Sequence, residues 1–359
     1  MAMAASTGFG SLPDEQPARN AIILNVIAPI LNGLVAWAVG MNTAKKKSNI
    51  GLHVPGYHQG PFPAWKIIFL TLGAFTICWT LVVFFFLVSS HALANYRPNT
   101  PLEATWLSER QKYMLIHRKS TDNTGISSPL LEPSHIVEAL TDPKTWLIWL
   151  AIVALQVPNG GLTTFNTLII QGLGFDSRTT ALLAMPPGAM STLSGIGLSI
   201  LVAHTRRYRT SIVAFSILLP LAGGIICYSL PRTNLAGQLI GLYILYTYWA
   251  PYVALVSIYQ ANVAGHTKKI FLFAWFYVAW AAGNIIGPQT FLESQAPKYT
   301  GGTVAMIVCY VVAIFCVLGY GVLCTRKNRE RTEGISENLG ANDWLDLTDG
   351  KNHSFKYTT

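Results

Sequence analysis

Apolar residues in this chain gather in long runs separated by short polar and basic stretches, and one run is patterned unlike the others. From Thr141 to Phe175 the sequence reads TDPKTWLIWLAIVALQVPNGGLTTFNTLIIQGLGF. It begins apolar beside Lys144 and Trp146, changes character at Pro158-Asn159-Gly160-Gly161, resumes as LTTFNTLII and stops at Gly172. The apolar part is about 26 residues, long enough to cross a bilayer. The Pro-Asn-Gly-Gly segment is expected to interrupt the helix. Backbone groups freed there are tolerated at membrane depth only where protein or a water-filled cavity surrounds them. Gln156, Asn159, Thr163 and Asn166 follow one another at three- and four-residue steps, so they share one helical face. That face reads either as the lining of a polar cavity or as hydrogen-bonding glue between helices, with the glycines there for close packing.

Seven further runs of span length flank this one, giving about eight transmembrane helices in all. Two precede it, at about 21–40 (with Asn25, Pro29 and Asn32) and about 65–88. Five follow, at about 180–203, 210–230, 238–262, 270–292 and 303–324. The first of these five carries Ser191, Gly195 and Ser199 at fourth-residue spacing, a close-packing face. The next has Gly223-Gly224, the tyrosine-rich run has Pro251 inside it, and the run after that contains the Gly283/Gly287 pair. The pattern thus divides the chain into a polar lead (1–20), two spans (21–88), a linker (89–142), a six-helix bundle (143–324) and a hydrophilic tail (325–359). Within the linker, Ser108 with Gln111 three residues on is a capping box ahead of Met114 and Leu115, and a second short helix is expected from Ser134.

Composition agrees with a membrane protein. Of 359 residues 51% are hydrophobic and 11% charged, and mean hydropathy is +0.39; a soluble domain carries roughly twice that charged fraction. Alternating strands of barrel type are absent from the sequence. The net charge of +9 does not point to nucleic acid, because the basic residues sit in short loops, where they report topology. Arg97, Arg110, Lys112, Arg118 and Lys119 fall on one side, with Arg206, Arg207, Arg209, Lys268, Lys269, Arg326, Lys327, Arg329 and Arg331; Arg178, Arg232 and Lys298 fall on the other. The first side is expected to be cytoplasmic and, with an even span count, to hold both termini. Lys45 to Lys47 run against this assignment. The five cysteines lie in or at the end of apolar runs without metal-ligand spacing, so neither zinc nor disulfides are expected.

No Asp, Glu, Lys or Arg lies in the interior of the six later runs. A proton relay or ion path would normally announce itself there, and no nucleophile-base or metal motif occurs at membrane depth, so the sequence does not read as an enzyme. What remains is a neutral polar lining: Gln156, Asn159, Thr163 and Asn166, joined by Tyr246 on the tyrosine-rich run (with Tyr243 and Thr247 nearby) and by Tyr277 and Asn284 seven residues apart on the next. Pro- or Gly-interrupted helices are the usual pointer to a transport site, and three runs here carry such residues.

The segments NGGLTTFNTLIIQGLGF, ANVAGHTKK, AGNIIGPQTF and WLDLTDGKNHSFKY, with EQPARNAI, PAWKIIFLTLGAFTICW and TDPKTW, resemble the allantoate permease group. That group belongs to the anion:cation symporters of the major facilitator superfamily, and the likeness covers nearly the whole chain from Asp14 onward. The resemblance implies an all-α polytopic membrane protein of the plasma membrane, built as two six-helix halves around a cavity. It implies proton-driven uptake of a small organic anion such as allantoate, ureidosuccinate or a nicotinate-type vitamin, or of a small peptide. Mapped onto it, the first run resembles the fifth span of the family and the Thr141–Phe175 stretch the seventh, so this sequence would represent an incomplete major facilitator fold lacking the first four spans. The AHTRRYR loop resembles the second half's copy of the superfamily loop motif without its acidic residue, and KKKSNIGLHVPGY is unlike the family. Two classes follow: a permease completed by further sequence, or a non-transporting membrane partner of a full-length permease.

Overall fold

The computed structural model describes residues 69–70, 73–81, 108–110, 113–114, 131–205, 208–333, 347–352 and 355–359. The expected first span, the Lys45–Lys47 loop, most of the linker and the Arg206-Arg207 pair lie outside them. Of the second expected span, 69–70 and 73–81 are helical, and of the capping-box helix, 109–110 and 113–114.

From Pro133 onward the regular elements of the described residues are all helices, with no strand among them. Helix α1 (Pro133–Thr141) begins one residue before its expected Ser134. A turn at Asp142 leads into α2 (Pro143–Gln171): the Asp142 carboxylate accepts the Lys144 amide at 3.1 Å, and Pro143 occupies the first helical position, where its missing N–H costs nothing. The next span is split into α3 (Ser177–Leu183) and α4 (Pro186–His204). The third is α5 (Arg209–Ser216) and α6 (Leu218–Ser229), and the fourth α7 (Leu235–Leu245) and α8 (Trp249–Ala261), joined by a 3₁₀ turn at Tyr246–Tyr248. Helix α9 (His266–Gln289) opens after Gly265, whose φ of 91° is a left-handed conformation that favours glycine. Helix α10 (Thr300–Glu333) ends the helical series, continuing past the expected limit at Cys324. Six of these stretches are long and apolar enough to cross a membrane.

The interruptions fall where proline removes a helical donor, yet not at the position the pattern suggests. Pro220 cannot bond the Ser216 carbonyl, and the third span breaks after Ser216; Pro251 cannot bond the Thr247 carbonyl, and the 3₁₀ turn lies there. Pro186-Pro187 restarts the second span. In α2, by contrast, the helix runs unbroken through Pro158-Asn159-Gly160-Gly161, so the expected interruption is corrected. The glycines of that segment serve packing instead. Helix α2 lies against α9 and α10, α8 against α4, and α6 against α7 and α10. A Cβ added at Gly160 would stand 2.7 Å from the Asn284 carbonyl oxygen, and one at Gly283 2.5 Å from Gln156 Cβ. One at Gly287 would strike the Val157 carbonyl oxygen. The two backbones touch because neither has a side chain in the way, the small-residue packing that membranes favour. Gly223 does the same against α7, where an added Cβ would lie 2.7 Å from Leu245 N.

The bundle has two unlike ends. At one, Arg232 donates to the carbonyls of Gly172 and Pro297, and Phe165, Phe291 and Tyr299 stack together, with 4.9 Å between the two phenylalanine rings. At the other, which we call the basic end, α1, the starts of α2, α5 and α9 and the ends of α8 and α10 converge. There the chain's last residues fold back onto the bundle: Asp349, Phe355 and Tyr357 are buried, not solvated as a hydrophilic tail would be.

Candidate functional site

Midway along α2, four neutral side chains from three helices meet. Asn159 Nδ2 donates to Gln156 Oε1 at 2.7 Å, one turn earlier on α2, and to Asn284 Oδ1 on α9 at 2.9 Å. Asn284 Nδ2 in turn donates to Gln156 Oε1 at 3.3 Å and to the Trp280 carbonyl at 2.8 Å. The fourth member is Tyr248, whose hydroxyl donates to Asn159 Oδ1 at 2.5 Å. Every bond pairs a donor with an acceptor, so one assignment of the three amides satisfies the whole set. Gln156, Asn159 and Tyr248 are buried and Asn284 half-buried. This arrangement depends on the glycine contact: only because Gly160, Gly283 and Gly287 bring the α2 and α9 backbones together can two short amide side chains bridge them.

The sequence-derived residues are only partly brought together. Gln156, Asn159 and Asn284 form the network. Thr163, on the same face, is exposed and returns its hydroxyl to its own helix, to the Asn159 carbonyl at 2.8 Å. Asn166 is half-buried, and its Oδ1 is buried with no hydrogen bond. Tyr246 reaches α2 from the 3₁₀ turn, its hydroxyl 3.4 Å from the Leu162 carbonyl. Tyr277 stands apart, its ring edge-on to Phe273 at 5.4 Å. The shared face of α2 thus has two parts. Its deeper half is bonded across a helix contact; in its outer half Thr163 is exposed and Asn166 is half-buried.

Tyr248 was not among the residues expected from the sequence. Counting at 3.6 residues per turn carries one from Tyr243 to Tyr246 and Thr247. The 3₁₀ turn advances at three per turn, shifting the phase so that the next residue points inward. The one signal available was Pro251 three residues later.

Chemically, the network offers amide N–H groups and phenolic O–H to an acceptor and amide carbonyls to a donor. It carries no charge, and no member titrates near neutrality. One network atom, Gln156 Nε2, is buried without a partner, as is Asn166 Oδ1 farther along α2. Buried polar atoms of this kind are uncommon and call for an explanation. Among the described residues, Asp, Glu, Lys and Arg occur only toward the ends of the six spans.

Residues 21–288 match the Major Facilitator Superfamily. The chain belongs to this superfamily. Over 348 residues it is 64% identical to the MFS-type transporter cnsL of Penicillium expansum, an alignment covering 97% of this chain and 67% of that protein. It is 31% identical over 317 residues to the allantoate permease of Saccharomyces cerevisiae, covering 84% of this chain and 56% of the permease. To the thiamine pathway transporter THI73 of the same yeast it is 28% identical over 304 residues, again 84% of this chain and 56% of the relative. The chain therefore spans between about half and two thirds of the length of these curated relatives. Membership in the major facilitator superfamily, a family of transporters, and six apolar helices of span length among the described residues describe an integral membrane protein.

Proposed function

We propose that the chain acts as a secondary active permease of the allantoate permease group, taking up a small organic anion in exchange for the energy of a proton gradient. The supporting observation is the neutral network at the middle of α2, with its unpartnered Gln156 Nε2 and, nearly three turns on, the unpartnered Asn166 Oδ1. A carboxylate accepts N–H and O–H bonds; a ureido or amide group also donates. A lining of amides, hydroxyls and phenols suits both, and it does so without a fixed charge that would hold an anion too tightly to release. In this reading Gln156, Asn159, Thr163, Asn166, Tyr246, Tyr277 and Asn284 bind substrate, with Tyr248 holding Asn159 in place. Allantoate, ureidosuccinate, nicotinate-type vitamins and small peptides are the substrate classes to try, the first because one relative is named for it. The proton carrier lies outside this network, whose members do not titrate near neutrality. A facing wall supplied by a second helix bundle would complete the cavity, since transporters of this architecture bind between their repeats.

The same reading places the basic end in the cytoplasm, with both termini, and the protein in the plasma membrane. It divides the chain as a lead (1–20), two spans (21–88), a linker (89–142), a six-helix bundle (143–324) and a tail (325–359).

Single cysteines in a background without the native five test the site. A water-soluble thiol reagent should label Thr163→Cys and Asn166→Cys, substrate should protect both, and Leu155→Cys, fully buried, should stay unlabelled. Labelling of Thr163→Cys and Asn166→Cys that allantoate, nicotinate and related anions leave unchanged would refute the assignment.

A further inference from the structure

The basic end is built around an anion. Helices α2 and α9 each begin with a buried lysine, Lys144 at the second position and Lys268 at the third, where the helix dipole disfavours a cation. Both point at one carboxylate: Asp349 lies 2.9 Å from Lys144 Nζ and 2.7 Å from Lys268 Nζ. Burial would by itself push the Asp349 carboxyl up, but the two lysines overcome it and hold the group well below the usual carboxylate range. Tyr357 donates its hydroxyl to the same carboxylate at 2.8 Å, and Lys144 Nζ and Arg331 Cζ lie over its ring, 3.7 and 4.7 Å from the centroid.

The backbone of this segment is read as well. Asn328 on α10 takes both peptide groups of Tyr357, accepting its N–H at 2.8 Å and donating to its carbonyl at 2.8 Å. Asn262, just past α8, does the same for Thr358, accepting the N–H at 2.6 Å and donating to the carbonyl at 2.9 Å. The Arg209 amide donates to the Thr359 carbonyl at 2.8 Å, and Arg331 donates to the carbonyls of Asp349 and Phe355. Bundle side chains that pair successive backbone groups of an extended segment do what a peptide-binding groove does, because an extended strand has no internal partners for those groups.

We propose that the basic end of this bundle is a peptide-binding site, filled here by the chain's own residues 347–352 and 355–359, that recognises an aspartate and a tyrosine eight residues apart through Lys144, Lys268, Asn328 and Asn262. The segment is a ligand in the physical sense. Although it continues from α10, it crosses the ends of α2, α8 and α9, which lie far from it in sequence, it satisfies lysines that otherwise pair with Asp142 and Glu138, and an acidic, aromatic peptide of the same spacing competes for its place. The inference stands apart from the transport reading, since every group it uses lies at the basic end and none in the amide network.

The test keeps the full chain. A protease site is placed within 334–346, the folded protein is cut in detergent and passed over a sizing column, and a fluorescent peptide of residues 347–359 is then titrated in. The cut tail should stay bound, and the labelled peptide should exchange with it and saturate. The Asp349→Asn peptide should bind about tenfold to a hundredfold more weakly, the range for removing a buried, doubly paired carboxylate whose lysines keep a second partner. The Lys144→Met/Lys268→Met protein should no longer distinguish the two peptides. If cutting collapses the bundle, the wild-type peptide should restore its melting transition and the Asp349→Asn peptide should not. A cut tail that leaves at once with the melting transition unchanged overturns the proposal. So does an Asp349→Asn peptide that binds or rescues as well as the wild type.

Discussion

Replacing Gly287 by alanine should separate the two helices that hold the amide network. The added methyl meets only backbone: the Val157 carbonyl oxygen, Gly161 N at 2.7 Å and Gly160 C at 3.1 Å. No rotamer change can relieve such contacts, so α9 must move away from α2 by something near an ångström to restore ordinary van der Waals separations of about 3.5 Å. Overpacking of this kind costs about 1–3 kcal/mol. The Asn159–Asn284 and Asn284–Gln156 bonds, at 2.9 and 3.3 Å, lengthen with the same movement, and interhelical hydrogen bonds in membranes are worth about 0.6–1.7 kcal/mol each. A total loss of about 2–4 kcal/mol follows. The control is Gly197→Ala on α4, where an added Cβ meets nothing within 4 Å; there alanine should be neutral or stabilising by about 0.5–1 kcal/mol, through its helix propensity. Thermal unfolding of the purified protein, followed by reaction of its buried cysteines with a fluorogenic thiol dye, compares the two. A Gly287→Ala protein that melts with the wild type, or a Gly197→Ala protein that falls as far, would refute the close crossing and the reasoning built on it.

Other outcomes follow from the same structure. Asn159→Leu strips partners from Gln156, Asn284 and Tyr248 at once and should lower the melting temperature more than Tyr248→Phe, which removes one bond of about 1 kcal/mol; the reverse order contradicts the network. Pro158→Ala should leave stability unchanged or raise it, because α2 is already helical there and regains a donor toward Ala154; a marked loss would mean that the proline shapes the helix. A tag at Arg206-Arg207 should be reached only from the cytoplasm and one at Ser294 only from outside, as intact-cell and permeabilised-cell labelling will show; the opposite pattern inverts the topology.

Much of the bundle is legible in the sequence because its signals are local. Six apolar stretches, the short helix before Pro143 and the close contact at Gly283 and Gly287 all follow from periodicity and small-residue spacing. Three members of the network were legible too, since an amide in a membrane run is costly enough to stand out. Tyr248 was hidden by the change from 3.6 to about three residues per turn, and the continuity of α2 by the rule that proline breaks helices, which packing against α9 overrides. The basic-end site was hidden for another reason: Lys144 and Asp349 are separated by 205 positions. A charge in a polar tail reads as solvated until the fold shows what it meets.

The measurement closest to the central claim is uptake. In cells stripped of their own permeases, radiolabelled allantoate, nicotinate and related small anions would be offered to the chain alone and to the chain fused to the part of the Penicillium relative outside their alignment, with that relative as the positive control. The account predicts saturable, gradient-driven uptake of a small organic anion by the fused protein, reduced about tenfold by Asn284→Leu at unchanged surface expression, the effect of losing roughly 1.4 kcal/mol of hydrogen bonding. No uptake of any anion while the relative transports, or uptake indifferent to substitution at Asn159, Asn166 and Asn284, would contradict it.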